Sequence, residues 1–407
     1  MHPNRNRGST GFTAIEKLIL IVLVMIQFTQ IATFIMIMPL GDRLRRELSL
    51  TPSQFGSVVA CYAWAASLTS LASGFVVDRL DRKHLLLVVY GGFALSTLAC
   101  GLASGFGMLL VARTLAGAFG GLAASVVMIG VGDLFTNDKR GRATGLVMSA
   151  FAIASILGLP TGLMLAEFFG RSAPFFAFGA LSIAVWFLAF FILPSIQDHL
   201  AHPRHHPIGE FMAVVRVKRH LMAFLFSFFL IIGTFMVASF LGPVLVSMNH
   251  WSERQLAMVY FVAGISTFIV TNMVGRWADR ISRLVLFRLL ASGAVVMALV
   301  VSRFTPTSLW LATVATSGFM VCAAARMVPA QAMLLTMVSQ NIRGAFMSVN
   351  TSVQQFATGV APMIASGLLV ENADGGLDGF SLVGLFSALS GGISILLAGF
   401  LKSTEGN

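Results

Sequence analysis

Twelve long stretches of this chain carry almost no charge, and each is long enough to cross a membrane as a helix. The hydrocarbon core of a bilayer is about 30 Å thick and takes about 20 helical residues to cross. Only 11% of the residues are charged and 57% are hydrophobic, unlike a water-soluble globular protein. We therefore predict an all-α integral membrane protein with twelve transmembrane helices. The predicted spans are 18–40, 53–77, 85–105, 107–132, 143–166, 173–194, 221–248, 255–275, 284–302, 306–330, 344–369 and 379–401.

Two places in this pattern are weak. The charge-free core of the ninth span runs only from Leu289 to Ser302, so this span requires Arg288 to extend toward the membrane surface. The break between the third and fourth spans, 103–107, is short. The first span is too long and too polar inside to be a cleaved signal peptide, so we expect it to remain in the membrane.

The distribution of Lys and Arg predicts the orientation. With both termini in the cytosol, the cytosolic segments hold nineteen of the 27 basic residues and the opposite side holds six. Cytoplasmic loops of membrane proteins carry such an excess, so we expect both termini on the cytoplasmic side of a plasma or bacterial inner membrane. The net charge of +11 then faces anionic lipid headgroups. Nucleic acid is not expected as a partner, because no soluble domain gathers the basic residues.

An internal repeat divides the chain. The segment GFVVDRLDRKH at 74–84 is echoed by GRWADRISR at 275–283 with a constant offset of 201 residues. The offset also relates Arg142 to Arg343 and Gly158 to Gly359. Internal symmetry of this kind is typical of transporters built from two repeated units. We predict a six-helix bundle over 1–194, a cytosolic linker over 195–220 and a second six-helix bundle over 221–407.

Metal and disulfide sites are not predicted. Four linker histidines (His199, His202, His205 and His206) could bind a metal, but no Cys or suitably placed carboxylate completes a site. A solvated linker beside anionic lipid is the favoured interpretation. The three cysteines all fall inside predicted spans, which disfavours a disulfide framework.

Three motifs carry a family resemblance. The pattern G-x-x-x-D-R-x-x-R occurs after the second span and again after the eighth. LLVARTLAGAFGG at 109–121 places Arg113 inside the fourth span, and GLPTG occupies 158–162 in the fifth. Together these motifs resemble the major facilitator superfamily. The chain is most similar to its twelve-span drug:proton antiporters and to relatives described as sugar or arabinose efflux permeases.

The resemblance implies a conformational gate at the cytosolic end. In the family, the motif Asp holds the second span against the start of span eleven, and a loop Arg bonds an acid at the end of span four, matched here by Asp133. The alternative is that the basic residues only set topology. The gate residues implied are Gly74, Asp78, Arg79, Arg82, Asp133, Gly275, Asp279, Arg280 and Arg283.

The GLPTG segment resembles the antiporter motif, with Gly158, Pro160 and Gly162 at the family positions. Pro160 lacks an N–H and is expected to kink the fifth span, while the glycines allow a neighbouring helix to approach. A kinked and tightly sealed pair of helices suits an antiporter. Ordinary helix packing would produce the same pattern.

Arg113 is the foremost candidate inside the membrane, because a charge there costs at least about 2.5 kcal/mol on insertion scales. It either shapes the electrostatics of a central cavity or bonds carbonyls of a neighbouring helix. Arg326, beside Pro329, is a weaker candidate. The cavity candidates are Gln27, Gln30, Thr33, Arg113, Tyr260, Asn272, Arg326, Asn350 and Gln354, although each could instead bond between helices.

A carboxylate that could carry a proton at mid-membrane is missing. The first span has no acid between Leu18 and Gly41, unlike many proton-coupled relatives. Proton coupling would then depend on Asp42 or on Asp78 and Asp133, which puts proton antiport in question.

We expect a secondary transporter that exports small amphipathic, drug- or sugar-like compounds by alternating access with proton antiport. The alternative is a uniporter or symporter for a metabolite such as a sugar or organic acid. A sensor or scaffold is disfavoured, because the chain has paired gate motifs and lacks a large soluble domain. An enzyme is also disfavoured, since no segment gathers a nucleophile, a base and oxyanion donors. No cofactor is expected, and we expect a monomer.

Overall fold

The computed structural model describes residues 11–77, 80–195, 207–278, 280–304, 308–339, 342–372 and 376–401. Within these residues, eleven helices are long and apolar enough to cross a membrane. A twelfth, of 26 residues, is equally long but more polar along its length. The prediction of an all-helical membrane protein is confirmed, and the predicted count of twelve spans agrees with these eleven helices and the more polar twelfth.

The first half of the chain forms spans 1 to 6. Span 1 is followed by a short helix, and span 5 is interrupted by one π-helical turn at Ala154–Gly158. The helices are α1 (Ala14–Ile35), α2 (Gly41–Leu48), α3 (Pro52–Val76), α4 (Arg82–Leu102), α5 (Phe106–Leu134), α6 (Asn137–Met148), α7 (Ala150–Ile153), α8 (Leu159–Phe169) and α9 (Ala173–Ile192). Span 5 consists of α6, α7, the π turn and α8.

The second half forms spans 7 to 12, with span 10 divided between α14 and α15. The elements are α10 (Pro207–Val215), α11 (Lys218–Asn249), α12 (Glu253–Trp277), α13 (Arg283–Val301), α14 (Leu309–Ala325), α15 (Met327–Thr336), α16 (Arg343–Leu368), β1 (Val370–Glu371), β2 (Leu377–Asp378) and α17 (Phe380–Ala398). The short helix α10 lies in the predicted linker. The weak ninth span is a helix of 19 residues.

Local backbone geometry repeats between the halves with the offset found in the sequence. Thr51 and Ser252, 201 residues apart, both begin a span with a capping box, in which the hydroxyl accepts from the backbone three residues later. Just before them, Ser49 and His250 both adopt left-handed backbone conformations, with φ of 51° and 52°. Left-handed residues end helices, so the same sharp turn precedes span 2 and span 8.

The two halves pack through two pairs of spans. Span 2 lies along span 11, where Ser67 Oγ donates to the Ser352 carbonyl at 2.8 Å. Span 5 lies along span 8, where a Cβ added to Gly264 would lie 3.0 Å from the Ser155 carbonyl oxygen. Each approach depends on small side chains, which let helices come close in a membrane.

The bundle has two ends. The linker end holds the turns near residues 80, 136, 216, 282 and 342, and the far end holds those near 40, 104, 171, 251, 303 and 372. At the far end the halves are in close contact: the Phe55 and Phe240 rings are 5.5 Å apart, and a Cβ on Gly242 would meet Pro39 Cα at 2.6 Å. At the linker end, α6 packs on α1 and α5 of its own half. The contacts of Phe55 with Phe240 and of Gly242 with Pro39 thus close the far end.

Candidate functional site

Arg113 is fully buried in α5, on span 4. Its Nη1 donates to the Thr33 carbonyl of span 1 at 3.2 Å, and its guanidinium lies 4.5 Å from the centre of the Tyr62 ring. A cation over an aromatic face is attracted to the ring. The Nε and Nη2 groups of Arg113 have no hydrogen-bond partner in the structure. Arg113 therefore bonds a carbonyl of a neighbouring helix, which was one of the two roles predicted for it. It also keeps two donors that have no partner.

Arg326 is the corresponding cation of the second half. It is 2% exposed, and its Nη2 donates to the Leu230 carbonyl at 3.0 Å and to Thr234 Oγ1 at 2.6 Å. Thr234 lies 201 residues after Thr33, so each half places a buried arginine beside the same position of the repeat. Span 10 breaks at Arg326, because Pro329 cannot donate the hydrogen bond of a continuous helix.

Three aromatic rings connect the two arginine sites across the interface between the halves. Phe34 stacks on Tyr62 at 5.1 Å and lies 6.2 Å from Phe235, which follows Thr234 in the chain. Phe34 and Phe235 are both partly exposed, although most of their neighbours on spans 1 and 7 are buried. We call Arg113, Arg326 and these three rings the central site.

The amide side chains of spans 1 and 11 differ in how completely they are hydrogen-bonded. Asn350 is fully buried on span 11 and accepts a hydrogen bond from Ser227 Oγ at 2.7 Å, and Gln27 donates to the Ala124 carbonyl at 3.5 Å. The amide nitrogens of Gln30, Asn350 and Gln354 have no partner in the structure. These side chains therefore keep donors available for water or a ligand.

Two other cavity candidates lie elsewhere. Asn272 is exposed on α12 and donates to the Phe268 carbonyl of its own helix at 2.8 Å. Tyr260 is buried near the far end, where its hydroxyl would lie 3.4 Å from a Cβ on Gly242. The structure does not bring either residue together with the amides of spans 1 and 11.

Part of the predicted cytosolic gate is in place at the linker end. Arg82, 3% exposed at the start of α4, forms an ion pair with Asp133 at the end of α5. The second acid of the motif, Asp81, accepts from the Lys83 backbone N–H at 2.8 Å and so caps α4. Gly74 lies in α3. Asp78 and Arg79 lie outside the described residues.

The second copy of the gate motif differs from the first. Gly275 lies in α12, Arg280 and Arg283 are exposed, and Asp279 is outside the described residues. The position 201 residues after Asp133 is Leu334, which cannot pair with a cation. The repeat therefore preserves the basic residues without the acid that Arg82 uses.

The GLPTG segment has a wider helical turn than expected. The π turn ends at Gly158, and Pro160 stands at the second position of α8. We expected a kink at Pro160. The widened turn accommodates the hydrogen bond that Pro160 cannot donate, as single π turns do in α-helices. A Cβ on Gly158 would lie 2.7 Å from Ala32 Cβ, and one on Gly162 would lie 3.3 Å from Met36 Sδ, so both glycines pack on span 1.

Ion pairs hold the halves together at the far end, and our sequence reasoning missed them. Arg43 Nε lies 2.6 Å from Glu253 Oε1, and the Glu253 backbone N–H donates to Glu167 at 2.8 Å. Arg45 pairs with Glu371 at 2.7 Å. We call these five residues the far-end cluster. The sequence did contain one signal: two acids of the second half, Glu253 and Glu371, lie in the predicted topology on the same side of the membrane as Arg43 and Arg45.

Asp42 lies beside the far-end cluster. Its side chain is buried, and Arg46 Nη2 approaches one carboxylate oxygen at 2.7 Å. Burial raises the pKa of Asp42 above its usual value, while the charges of Arg46 and Arg45 act in the opposite direction. Asp42 is therefore a carboxyl group that binds its proton more tightly than an exposed Asp.

Curated relatives of this chain are transporters. It is 27% identical over 263 residues to "Uncharacterized MFS-type transporter YceJ" of Bacillus subtilis, covering 64% of this chain and 65% of that protein. It is 28% identical over 251 residues to "Probable sugar efflux transporter" of Pasteurella multocida, covering 60% of this chain and 59% of that protein. The matches thus span less than two thirds of these relatives' length.

Solved structures share the fold over almost the whole chain. A D-xylose–proton symporter superposes with a TM-score of 0.77 at 14% identity, covering 96% of this chain and 99% of the symporter. The nucleoside transporter NupG superposes with a TM-score of 0.76 at 14% identity, covering 95% of this chain and 99% of NupG. The model of the Major Facilitator Superfamily matches residues 20–362. The chain therefore belongs to the Major Facilitator Superfamily, a family of membrane transporters rather than enzymes.

Proposed function

We propose that the protein exports small amphipathic, drug- or sugar-like compounds across the plasma or bacterial inner membrane by alternating access, in exchange for protons. Both termini and the linker lie in the cytosol in this proposal, as the excess of basic residues at the linker end favours. The relative from Pasteurella multocida, named a sugar efflux transporter, supports the direction of transport. The protein acts as a monomer surrounded by anionic lipid.

The observation that carries this proposal is the closure of the far end. Arg43 and Glu253, from opposite halves, form a direct ion pair there, and Phe55 packs against Phe240 beside it. In this proposal, in which the linker end is cytosolic, a closed far end corresponds to the inward-facing side of the transport cycle. Transport requires these contacts to separate while the halves 1–194 and 221–407 rock about the linker 195–220.

The linker end contains the opposing gate. Arg82 and Asp133 form an ion pair within the first half, and Asp78 and Arg79 belong to the predicted loop that comes just before Arg82 in the chain. In the outward-facing state this loop closes against span 11 and shuts the cytosolic entrance. Gly74 belongs to this first copy of the gate, and Gly275, Asp279, Arg280 and Arg283 form a second, weaker copy, in which a Cβ on Gly275 would meet no atom within 4 Å.

The solute occupies the central site and the amides around it. Gln27, Gln30 and Thr33 belong to span 1, and Asn350 and Gln354 belong to span 11. Tyr260 and Asn272 lie along span 8 and contact the solute in other states of the cycle. Gly158, Pro160 and Gly162 seal spans 1 and 5 so that protons do not leak.

Proton coupling depends on where the carboxylates lie. Every Asp and Glu that the structure describes lies in a loop, in a short helix, in one of the two short strands, or in the first or last turn of a span. Coupling then uses Asp42 or the pair of Asp78 and Asp133. This distribution of carboxylates equally favours a second candidate function, facilitated movement of a sugar or organic acid without proton exchange.

Transport by purified protein in liposomes tests the proposal. With a pH difference imposed across the membrane, we expect the solute to accumulate against its gradient, and an uncoupler should abolish that accumulation. Solute movement that is indifferent to pH and uncoupler would remove antiport and leave the facilitator. Liposomes containing Asp42→Asn and Asp133→Asn variants would identify which carboxylate couples.

A further inference from the structure

We propose that the solute carries a carboxylate, which binds the free donors of Arg113 or of Arg326, and an apolar or aromatic body that packs on the rings of the central site. This inference rests on the proposed transport function and names the class of its substrate. Three features of the central site support it: two positive charges without a negative partner, hydrogen-bond donors without an acceptor, and two partly exposed aromatic rings.

The central site carries two positive charges without a negative one. Arg113 is fully buried and Arg326 is 2% exposed, so water contributes little to solvating either guanidinium. Their contacts with the protein are to two carbonyl oxygens, one hydroxyl and one aromatic face, all formally neutral. Within the described residues, neither arginine pairs with a carboxylate. A bound anion would compensate charges that the protein leaves unbalanced.

Most of the buried polar atoms without a partner on spans 1, 2, 4, 10 and 11 are donors only, although Gln331 Oε1 accepts and hydroxyls such as Ser352 Oγ can also accept. Arg113 Nε and Nη2, Arg326 Nε and Trp64 Nε1 are buried and have no partner, and none of these groups can accept a hydrogen bond. The amide nitrogens of three more side chains lack partners too, namely Gln30, Asn350 and Gln354. Their complement is a ligand rich in acceptor oxygens. A carboxylate presents two such oxygens to a guanidinium in matching geometry.

The two arginines come from opposite halves and approach equivalent positions of the repeat. Arg113 contacts Thr33 in the first half, and Arg326 contacts Thr234 in the second. A solute bound to both would therefore couple the halves, as the substrate of an alternating-access transporter must.

The rings define the remainder of the solute. Phe34 and Phe235 are partly exposed where spans 1 and 7 meet, and Tyr62 stacks behind Phe34. Apolar surface of this kind binds hydrocarbon or the apolar face of a sugar ring. An aromatic carboxylic acid or a sugar acid fits both parts of the site, whereas a neutral sugar leaves the charges unbalanced.

Binding to the full-length protein in detergent tests this inference. The probes are carboxylates paired with their neutral primary amides, from acetate to 4-phenylbutyrate, and glucuronate paired with glucose, each followed by the shift in melting temperature. We expect at least one carboxylate to bind about tenfold more tightly than its neutral partner, a difference of about 1.4 kcal/mol. At least one of Arg113→Gln and Arg326→Gln should remove this preference, and a preference that survives in both variants would overturn the inference.

Controls separate charge from folding. Arg303→Gln changes an exposed arginine at the far end and should leave the preference intact. Arg113→Lys and Arg326→Lys keep the charge and should retain part of it, even if a Gln variant is unstable without ligand. Equal binding of carboxylates and amides, binding of neutral probes alone, or no stabilisation by any carboxylate would each overturn the inference.

Transport measurements keep the two proposals distinguishable. If a carboxylate binds with the expected preference but is not moved across liposome membranes, the proposed transport function fails and the anion site stands. If a neutral sugar is moved and no carboxylate competes with it, transport stands and the anion site is refuted.

Discussion

Replacing Glu253 by Gln should open the far end of the transporter. Glu253 forms the ion pair with Arg43 that crosses from the second half to the first, at 2.6 Å, and its side chain is 8% exposed. Gln has nearly the same shape and keeps a hydrogen-bonding oxygen, so the substitution removes mainly the charge. The inward-facing state should lose stability, while an outward-facing state, in which the two residues separate, should not.

The size of this effect follows from the geometry. Two unit charges with centres about 4 Å apart attract by about 4 kcal/mol at an effective dielectric constant near 20. Arg43 is 23% exposed and also approaches Glu47 at 3.7 Å, so it keeps some solvation and a second partner. We therefore expect a loss of about 2 kcal/mol. That corresponds to a shift of about 30-fold in the ratio of inward-facing to outward-facing molecules.

Distances between spin labels on the two halves measure this shift. Labels at Ser53 and Arg254, both exposed at the far end, should move apart in Glu253→Gln. Labels at Arg140 and Arg276, both exposed at the linker end, should approach each other in the same variant. The native cysteines would be replaced beforehand.

Glu47→Gln is the matched control. Glu47 pairs with Arg43 and with Arg171 at 3.1 Å, but all three residues belong to the first half. Its removal costs an ion pair without weakening a contact across the interface, so the label distances should stay as in the unmodified protein. Equal distance distributions in Glu253→Gln and Glu47→Gln would refute the reasoning.

Three further changes probe other parts of the structure. Asp133→Asn removes the partner of a buried arginine at the linker end, and we expect transport to fall about tenfold or more, whereas the exposed Asp138→Asn should transport normally. Because burial raises the pKa of Asp42, its charged form weakens the native state. Asp42→Asn should therefore raise the melting temperature at pH 7, and this gain should shrink as the pH falls below the native pKa and be gone once the pH is below the usual pKa of an Asp. Gly117→Ala places a Cβ against a backbone carbonyl of span 2 and should cost about 3 kcal/mol or more of stability, whereas Gly130→Ala on the same helix meets open space and should melt near the unmodified protein.

The spans and their number could be predicted from sequence because membrane insertion depends on local composition. Runs of apolar residues show where helices cross, whatever they pack against. The offset of 201 residues also extends further than the motifs that revealed it, since Thr51 and Ser252 share a cap and Ser49 and His250 share a left-handed turn. The residue types within each of these pairs differ, so the repeat could be recognised at these positions only from the backbone geometry.

The far-end cluster could not be predicted in the same way. Arg43 and Glu253 are 210 residues apart in the chain, and each alone resembles a loop charge that sets topology. Their pairing depends on which end of the transporter is closed, and that is a property of a conformation. A transporter sequence must be compatible with more than one conformation. The sequence alone therefore does not indicate that Arg43 and Glu253 pair in this one.

The burial of Arg326 could not be predicted from sequence either. Arg326 ranked below Arg113 because it was placed toward one end of its span. In the structure Arg326 is 2% exposed and, as Arg113 does in its own half, contacts the threonine of one repeat position, here Thr234, because span 10 breaks at Arg326. A break of this kind depends on how Pro329 is accommodated, which a motif comparison does not show.

A reversible crosslink at the far end tests alternating access most directly. Cysteines at Arg45 and Glu371, which pair across the halves at 2.7 Å, would be joined by a short disulfide-containing reagent in a protein without native cysteines. Transport in liposomes should stop when the crosslink forms and recover when it is reduced, while each single cysteine should transport throughout. Transport that continues at an unchanged rate through the crosslinked protein would contradict the account.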